Sequence, residues 1–280
     1  MTDLVDDHSA QPTPPRALIV TAYGLYAREF GGWISVSALI RLLAELGVDA
    51  QSVRSSISRL KRREILVAER RAGRAGYALS PYARSVLRTG DRRIFERHAT
   101  PADGWVIAVF SVPESERQHR HQLRSRLAWL GFGTVSSGVW IAPAHALDDT
   151  RDHLVQHGLD RYVDLFRADY VAFGDPAEQV RRWWDLEALE TLYDEFIAQF
   201  APTAKRWARK RDKPDRDAFV HYIEILTAWR RFPYLDPGLP AALLPKPWSG
   251  AKAADLFFKL RRELEKPAHD FAQGVLSAAR

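Results

Sequence analysis

Apolar residues recur at helical spacing in Val53, Ile57 and Leu60, while the positions between them are polar or cationic. This pattern predicts an amphipathic helix over 50–63. Its outer face carries Gln51, Ser52, Arg54, Ser55, Ser58, Lys61 and Arg62, with no acid before Glu64. Asp49 suits the N-cap, because its carboxylate can accept from amides that a first turn leaves unpaired. The same face fits a solvated surface helix or a DNA-recognition helix, and the flanking pattern bears on the choice. Upstream, Leu18, Ile19, Thr21, Ala22 and Leu25 predict a helix over 16–28 that Gly31 and Gly32 end, followed by a short strand at Trp33-Ile34. Ser35 or Ser37 then caps a helix whose core face is Leu39, Leu42, Leu43 and Leu46, closed by Gly47. Two short helices joined by a tight Gly-containing turn make a helix-turn-helix. Downstream the period changes to two. Residues 65–70 and 77–79 read as strands around the turn Arg71–Gly76, with Arg70, Arg71 and Arg74 at its tip, as in a DNA-binding wing. Ser80 and Pro81 open the next helix. The expectation for 16–98 is a winged helix-turn-helix, which can also serve protein contacts.

Residues 99–175 change character. Trp105–Phe110 is a continuous apolar strand, and 114–130 a helix with Leu123, Leu127 and Leu130 inside. Two short strands follow at 132–136 and 138–142, then a helix over 145–157 and a strand over 162–173. The order β-α-β-β-α-β predicts a ferredoxin-like middle domain. Residues 176–280 read as an α-helical C-terminal domain. Its helices run from Asp185 through Phe200, from Pro214 through Trp229, over 251–265 and over 267–278. Pro233, Pro237, Pro240, Pro245 and Pro247 make 233–250 an irregular connection. The fold class is thus α+β in three domains. Residues 1–15, with Asp3, Asp6, Asp7 and three prolines, form a disordered lead-in rather than a signal peptide.

Charge sharpens the picture. The net charge of +6 conceals a local excess: residues 50–99 hold 13 Lys/Arg against 4 Asp/Glu, and the rest of the chain has no basic surplus. That footprint fits a polyanion partner. The absence of cysteine excludes disulfides, zinc fingers and thiol nucleophiles. No apolar run approaches the ~20 residues of a membrane helix, so no membrane partner is expected and the location expected is cytoplasmic.

Candidate chemistry outside the basic block is sparse. Arg117, Arg120 and Arg124 share a helix face that suits an anionic ligand or plain solvent. His153 and His157 stand at i, i+4, a spacing compatible with a metal, but the sequence sets no third ligand beside them. There is no Gly-rich phosphate loop, no Gly-x-Ser-x-Gly elbow and no His-Glu-x-x-His. No catalytic set, metal or cofactor is expected.

Several motifs in order resemble those of the phenylacetate-catabolism repressor (PaaX) family of bacterial transcription regulators. They are Arg16-Ala-Leu-Ile-Val-Thr, Ser37-Ala-Leu-Ile-Arg-Leu-Leu, Val53-Arg-Ser-Ser-Ile-Ser-Arg-Leu, Trp129-Leu-Gly-Phe-Gly and Gly138-Val-Trp-Ile-Ala-Pro, then Trp229-Arg-Arg-Phe-Pro, Asp236-Pro-Gly-Leu-Pro and Leu243-Leu-Pro with Trp248. The resemblance spans nearly everything after residue 15. It implies an N-terminal winged helix, a middle domain like the small CRISPR endoribonucleases, a helical C-terminal domain, and a homodimer on a palindromic double-stranded DNA operator, released by an aryl-acetyl-coenzyme A. Those nucleases carry a metal-binding acid at the end of their first strand. Here Ser111 stands there, a poor magnesium ligand, and Asp103 lies at the other end.

The expectation is a dimeric repressor of an aromatic-acid catabolic operon. Gln51, Ser52, Arg54, Ser55 and Ser58 read or position on bases, and Lys61, Arg62, Arg70, Arg71 and Arg74 contact phosphates. An acyl-coenzyme A effector, of phenylacetyl type, is expected between the middle and C-terminal domains. Arg117, Arg120 and Arg124 would take its phosphates, and Trp184, Trp229, Arg230 and Arg231 would line its acyl end. The rival readings are a divalent-metal nuclease in the middle domain and a winged-helix protein-interaction module.

Overall fold

The computed structural model describes residues 13–96, 104–171 and 173–278, an α+β chain with two antiparallel sheets. Helix α1 (Pro15–Ala22) is followed by strand β1 (Trp33–Ser35), helices α2 (Val36–Ala44) and α3 (Ala50–Arg62), strands β2 (Leu66–Arg71) and β3 (Arg74–Leu79), and helix α4 (Pro81–Phe95). Next come β4 (Trp105–Phe110), α5 (Arg117–Trp129), β5 (Gly133–Ser136), β6 (Val139–Pro143), α6 (Leu147–Gln156) and β7 (Val163–Ala168). Helices α7 (Pro176–Trp183), α8 (Leu186–Arg209), α9 (Asp215–Trp229), α10 (Phe232–Leu235) and α11 (Gly250–Ser277) follow. Most of the expected lead-in (residues 1–12) and Asp103 lie outside the described residues.

The chain forms two compact units. The first joins the described parts of residues 1–95 to Glu195–Arg231 and Ala251–Arg280. Leu18, Ile19, Val20, Thr21 and Ala22 are all buried, so α1 is enclosed rather than amphipathic. It packs against α2 and α3 on the N-terminal side and against α9 from the C-terminal part. The hydroxyls of Thr21 and Thr227 meet at 2.8 Å within that contact. Arg41 donates to the Val275 carbonyl at 3.0 Å, and Arg216 pairs with Glu45. The three-stranded sheet has the order β1-β3-β2.

The second unit comprises the described parts of residues 96–194 together with Phe232–Gly250. Its four-stranded sheet has the order β5-β6-β4-β7, with every neighbouring pair antiparallel. Val106, Ala108, Phe110, Trp140 and Ala142 point to one face, where Leu123 and Leu127 of α5 and Leu154 of α6 close the core. A second cluster joins Trp105, Trp183 and Trp184 to Val180, Leu186 and Leu239. Tyr193 stacks on Phe232 at 4.4 Å and donates to Asp236 at 2.7 Å. Its burial, followed by the Asp236 charge, pushes the Tyr193 pKa well up.

Several elements depart from their sequence expectation. The first helix does not run evenly to residue 28: it widens into a π turn at Tyr23–Ala27 and tightens to a 3-10 turn at Arg28–Phe30. Tyr23 and Tyr26 are fully buried within the widened turn. Strand β7 stops at Ala168 because its partner β4 begins at Trp105, which pairs with Ala168 and leaves later residues no ladder. The two helices expected across Pro267 are the single helix α11. Leu264, Ala268, Ala272 and Leu276 keep one buried stripe through that position, and this packing overrides proline's local cost of about 3 kcal/mol. Pro202 is carried within α8 in the same way, with Phe200, Ala204 and Trp207 buried around it. The connection over 233–250 contains α10 and a 3-10 turn at Ala241–Leu243.

Gly133 has a mechanical role in the second unit. A Cβ there would lie 2.7 Å from the Trp184 indole, which donates to the Gly131 carbonyl at 2.9 Å. Gly133→Ala is expected to force the Trp183–Trp184 corner outward and to cost about 1–3 kcal/mol in urea unfolding.

Candidate nucleic-acid interface

Helix α3 is fixed at its start by Asp49. The Asp49 carboxylate accepts from the Gln51 and Ser52 amides, both at 2.8 Å, and from the Ser52 hydroxyl at 2.6 Å. These bonds, led by the Ser52 hydroxyl, hold the Asp49 carboxyl below the usual carboxylate range. Val53, Ser56, Ile57 and Leu60 are buried, which rotates the opposite stripe outward. That stripe is Gln51, Arg54, Ser55, Ser58, Lys61 and Arg62, all exposed and spaced i, i+3, i+4, i+7, i+10, i+11. Ser52 is the exception among the expected reading residues: it is half-buried beside the stripe, and its hydroxyl belongs to the cap. Arg59, exposed on the flank of the same helix, is a cation that the sequence reading passed over. Cations gathered in the last turn also suit the negative end of the helix dipole.

The hairpin β2–β3 is tighter than the sequence implied. Arg71 pairs directly with Arg74, so only Ala72 and Gly73 form the turn, at φ 48° and 77°. Two left-handed residues in a two-residue loop match the twist of the flanking strands. Gly76 is therefore not a turn glycine but a strand residue opposite Ser35 and Glu69. Arg70 bends back to the Gly73 carbonyl at 2.9 Å, and Arg74 is exposed. Arg71 is half-buried: it donates to Glu69 at 2.7 Å and to the Phe30 carbonyl at 2.8 Å. Its guanidinium, bonded to Glu69, holds that carboxyl below its usual range. Among the described residues, Arg54, Lys61, Arg62 and Arg74 have no acidic partner, while Arg71 pairs with Glu69.

The remaining expected sites fall in different places. Arg117 and Arg124 are exposed on α5, whereas Arg120 bonds to the Val112 carbonyl at 2.8 Å and to Glu114 at 3.1 Å. Trp184 belongs to the tryptophan cluster of the second unit. Trp229 is buried in the first unit, stacked on Phe257 at 4.7 Å and donating to the Ile94 carbonyl at 3.2 Å. Arg230 reaches the Ala17 carbonyl at 3.4 Å, and burial lowers the pKa of the half-buried Arg231. The four effector candidates on α5 and at Trp184 thus belong to one compact unit, and Trp229, Arg230 and Arg231 to the other. His153 Nε2 accepts from Arg126 at 3.0 Å, and His157 turns its Nδ1 to the His153 carbonyl at 2.8 Å. An arginine against one imidazole is a poor setting for a cation, and no group of three metal-capable side chains occurs among the described residues.

Three family models match the chain: residues 14–83 to "PaaX-like protein", 98–180 to "PaaX protein central Cas2-like domain" and 184–274 to "PaaX-like protein C-terminal domain". The chain belongs to the PaaX family. It is 27% identical over 268 residues to the transcriptional repressor PaaX of Escherichia coli (strain K12), an alignment covering 94% of this chain and 84% of that protein. Its fold is similar to that of the uncharacterized protein Rv0674 from Mycobacterium tuberculosis, with a TM-score of 0.54, 23% identity, and coverage of 89% of this chain and 99% of the other.

The cap gives a direct expectation. Asp49→Ala should speed amide exchange at Gln51 and Ser52, while Asp49→Asn, which keeps an acceptor, should leave it near wild type. Because the folded pKa of Asp49 is depressed, its contribution is present above the ordinary carboxylate pKa of about 3.9. It is lost as pH falls through the lower folded value, and protection of those two amides should fall over that acid range.

Proposed function

We propose that this chain is a DNA-binding transcriptional regulator of the winged-helix type, with a ferredoxin-like middle domain, and that α3 enters the major groove. The observation that carries the reading is the α3 stripe. Six exposed polar or cationic side chains share one face of a capped helix, with buried residues directly opposite. Element order supports the rest. The helix is preceded by α2 and followed by a two-stranded hairpin whose exposed Arg70 and Arg74 suit phosphates, and the β5-β6-β4-β7 order suits a split βαβ sheet. Within the stripe, Gln51, Arg54, Ser55 and Ser58 face bases, and Lys61 and Arg62 face the backbone. Ser52 holds the helix start instead of reading sequence.

Membership of the PaaX family supports the further reading of a homodimeric repressor. It would sit on a palindromic operator of an aromatic-acid catabolic operon and be released by an aryl-acyl-coenzyme A. Release requires only that the ligand bind the DNA-free state more tightly than the DNA-bound one. No observation favours a nuclease, and none of the described helices is long and apolar enough to cross a membrane.

Two measurements test this reading. Arg54→Ala should cost about 1–3 kcal/mol in operator affinity and relax discrimination at one base pair, read by mobility-shift titration on the DNA upstream of the chain's own gene. Unchanged affinity and specificity would remove α3 from the groove. Phenylacetyl-coenzyme A should dissociate that complex and raise the thermal midpoint of the free protein. A titration with neither effect would eliminate that effector while leaving DNA binding intact.

A further inference from the structure

Arg71 and Arg74 stand opposite each other at the hairpin tip and look equivalent in the sequence. The structure separates them. Segment 23–33, with its π turn, 3-10 turn, glycine pair and start of β1, holds the hairpin by three side-chain bonds beyond the strand ladder. Tyr23 donates to the Tyr77 carbonyl at 2.9 Å, Trp33 Nε1 donates to the Glu69 carbonyl at 3.0 Å, and Arg71 donates to the Phe30 carbonyl at 2.8 Å. The guanidinium of Arg71 also lies 5.5 Å from the centre of the Trp33 ring and is clasped by Glu69.

The ring of Trp33 can occupy that place only because residue 76 is glycine. A Cβ on Gly76 would sit inside the van der Waals envelope of the indole, overlapping its ring atoms. Period-two alternation puts Trp33, Glu69, Arg71 and Gly76 on one face of the sheet, whereas Leu66, Leu79 and Ile34 point to the buried face. The hairpin is therefore gripped on both sides, by core packing on one and by an indole–guanidinium brace on the other.

We infer that Trp33, Gly76 and Arg71 are positioning residues: they fix the pose of the hairpin so that Arg74 and Arg70 meet DNA phosphates, and Arg71 itself does not touch DNA. The inference rests on the reading of β2–β3 as a DNA-contacting wing. A two-stranded ribbon is marginal by itself, and a ribbon that must be ordered on binding loses affinity to the entropy of ordering it. A braced ribbon has met that cost in folding. The brace also resolves an electrostatic conflict, because Glu69 neutralises Arg71, the member of the cross-strand Arg71–Arg74 pair that is bonded to the Phe30 carbonyl.

The test uses the full chain and a labelled duplex of the chain's own upstream DNA, titrated across a salt series. Arg71→Lys keeps the charge but cannot reproduce the bonds to Phe30 and Glu69. It should weaken binding by roughly three- to tenfold, as much as Arg71→Gln, with the wild-type salt slope in both. Arg74→Gln should instead lower the slope by about 0.9. Trp33→Phe, which removes the indole N–H, should weaken binding by a similar factor alone and add little in the Arg74→Gln background. Hydroxyl-radical footprints of Trp33→Phe should lose the flanking protection and keep the central one, a pattern that general destabilisation would not give. Thermal midpoints of all variants show whether each remains folded. Wild-type affinity for Arg71→Lys together with a slope lowered by about 0.9 for Arg71→Gln would make Arg71 a direct phosphate contact and overturn the inference. So would unaltered binding by Trp33→Phe. If wild type protects no site and its binding has no salt dependence, the DNA reading falls first, and the brace loses its purpose with it.

Discussion

Helix α1 is enclosed on both sides, and the first unit depends on that enclosure. Five successive residues, Leu18 to Ala22, are buried, which an isolated helical hairpin could not achieve. One side is covered by α2 and α3, and the other by α9, where Thr227 meets Thr21. The orientation of α3 follows from this arrangement. Val53, Ile57 and Leu60 have a single apolar surface to face, so the cationic stripe has a single direction left. Helices α9 and α11 are thus structural parts of the unit that carries the basic helix. Their aromatic side chains, Phe219 against Tyr26 and Phe257 against Trp229, are core rather than lining.

Charge has to be read with its geometry. The basic excess of residues 50–99 overstates the field available outside, because part of it is satisfied within the protein. Arg71 is held by Glu69 and Phe30, and Arg84 donates to the carbonyls of Leu79 and Gly31. Among the described residues of α3 and the hairpin, Arg54, Lys61, Arg62, Arg70 and Arg74 are exposed without an acidic partner. A count of residues gives the sign of the partner. Only the hydrogen bonds show which charges remain to meet it.

Much of this was legible in the sequence, and the failures have physical causes. The α3 stripe, the Asp49 cap, the glycine stop at Gly31–Gly32 and the alternation of short helices and strands each arise from local periodicity or local hydrogen bonding, which neighbouring residues specify. Gly76 was misplaced into the turn because a glycine near a hairpin suggests positive φ, whereas this one answers to Trp33, far away in sequence. Arg71 and Arg74 could not be told apart, since the difference lies in the Phe30 carbonyl. Pro267 reads as a break in the sequence because proline's cost is local, while the stripe that offsets it is set by tertiary packing. The grouping of α9 and α11 with the N-terminal elements lies beyond any periodicity. It depends on which apolar faces find one another.

The discontinuous make-up of the first unit bears on the life of the chain at the ribosome. When residues 13–96 have emerged, α1 has partners on one side only, and Thr21, Tyr26 and the apolar residues beside them face water until α9 and α11 are made. Local helices can form during that interval, but the finished packing behind α3 must wait for the last helices to arrive. The order of synthesis therefore makes the basic surface a property of the completed polypeptide: an abandoned fragment carries the same arginines without the scaffold that aims them.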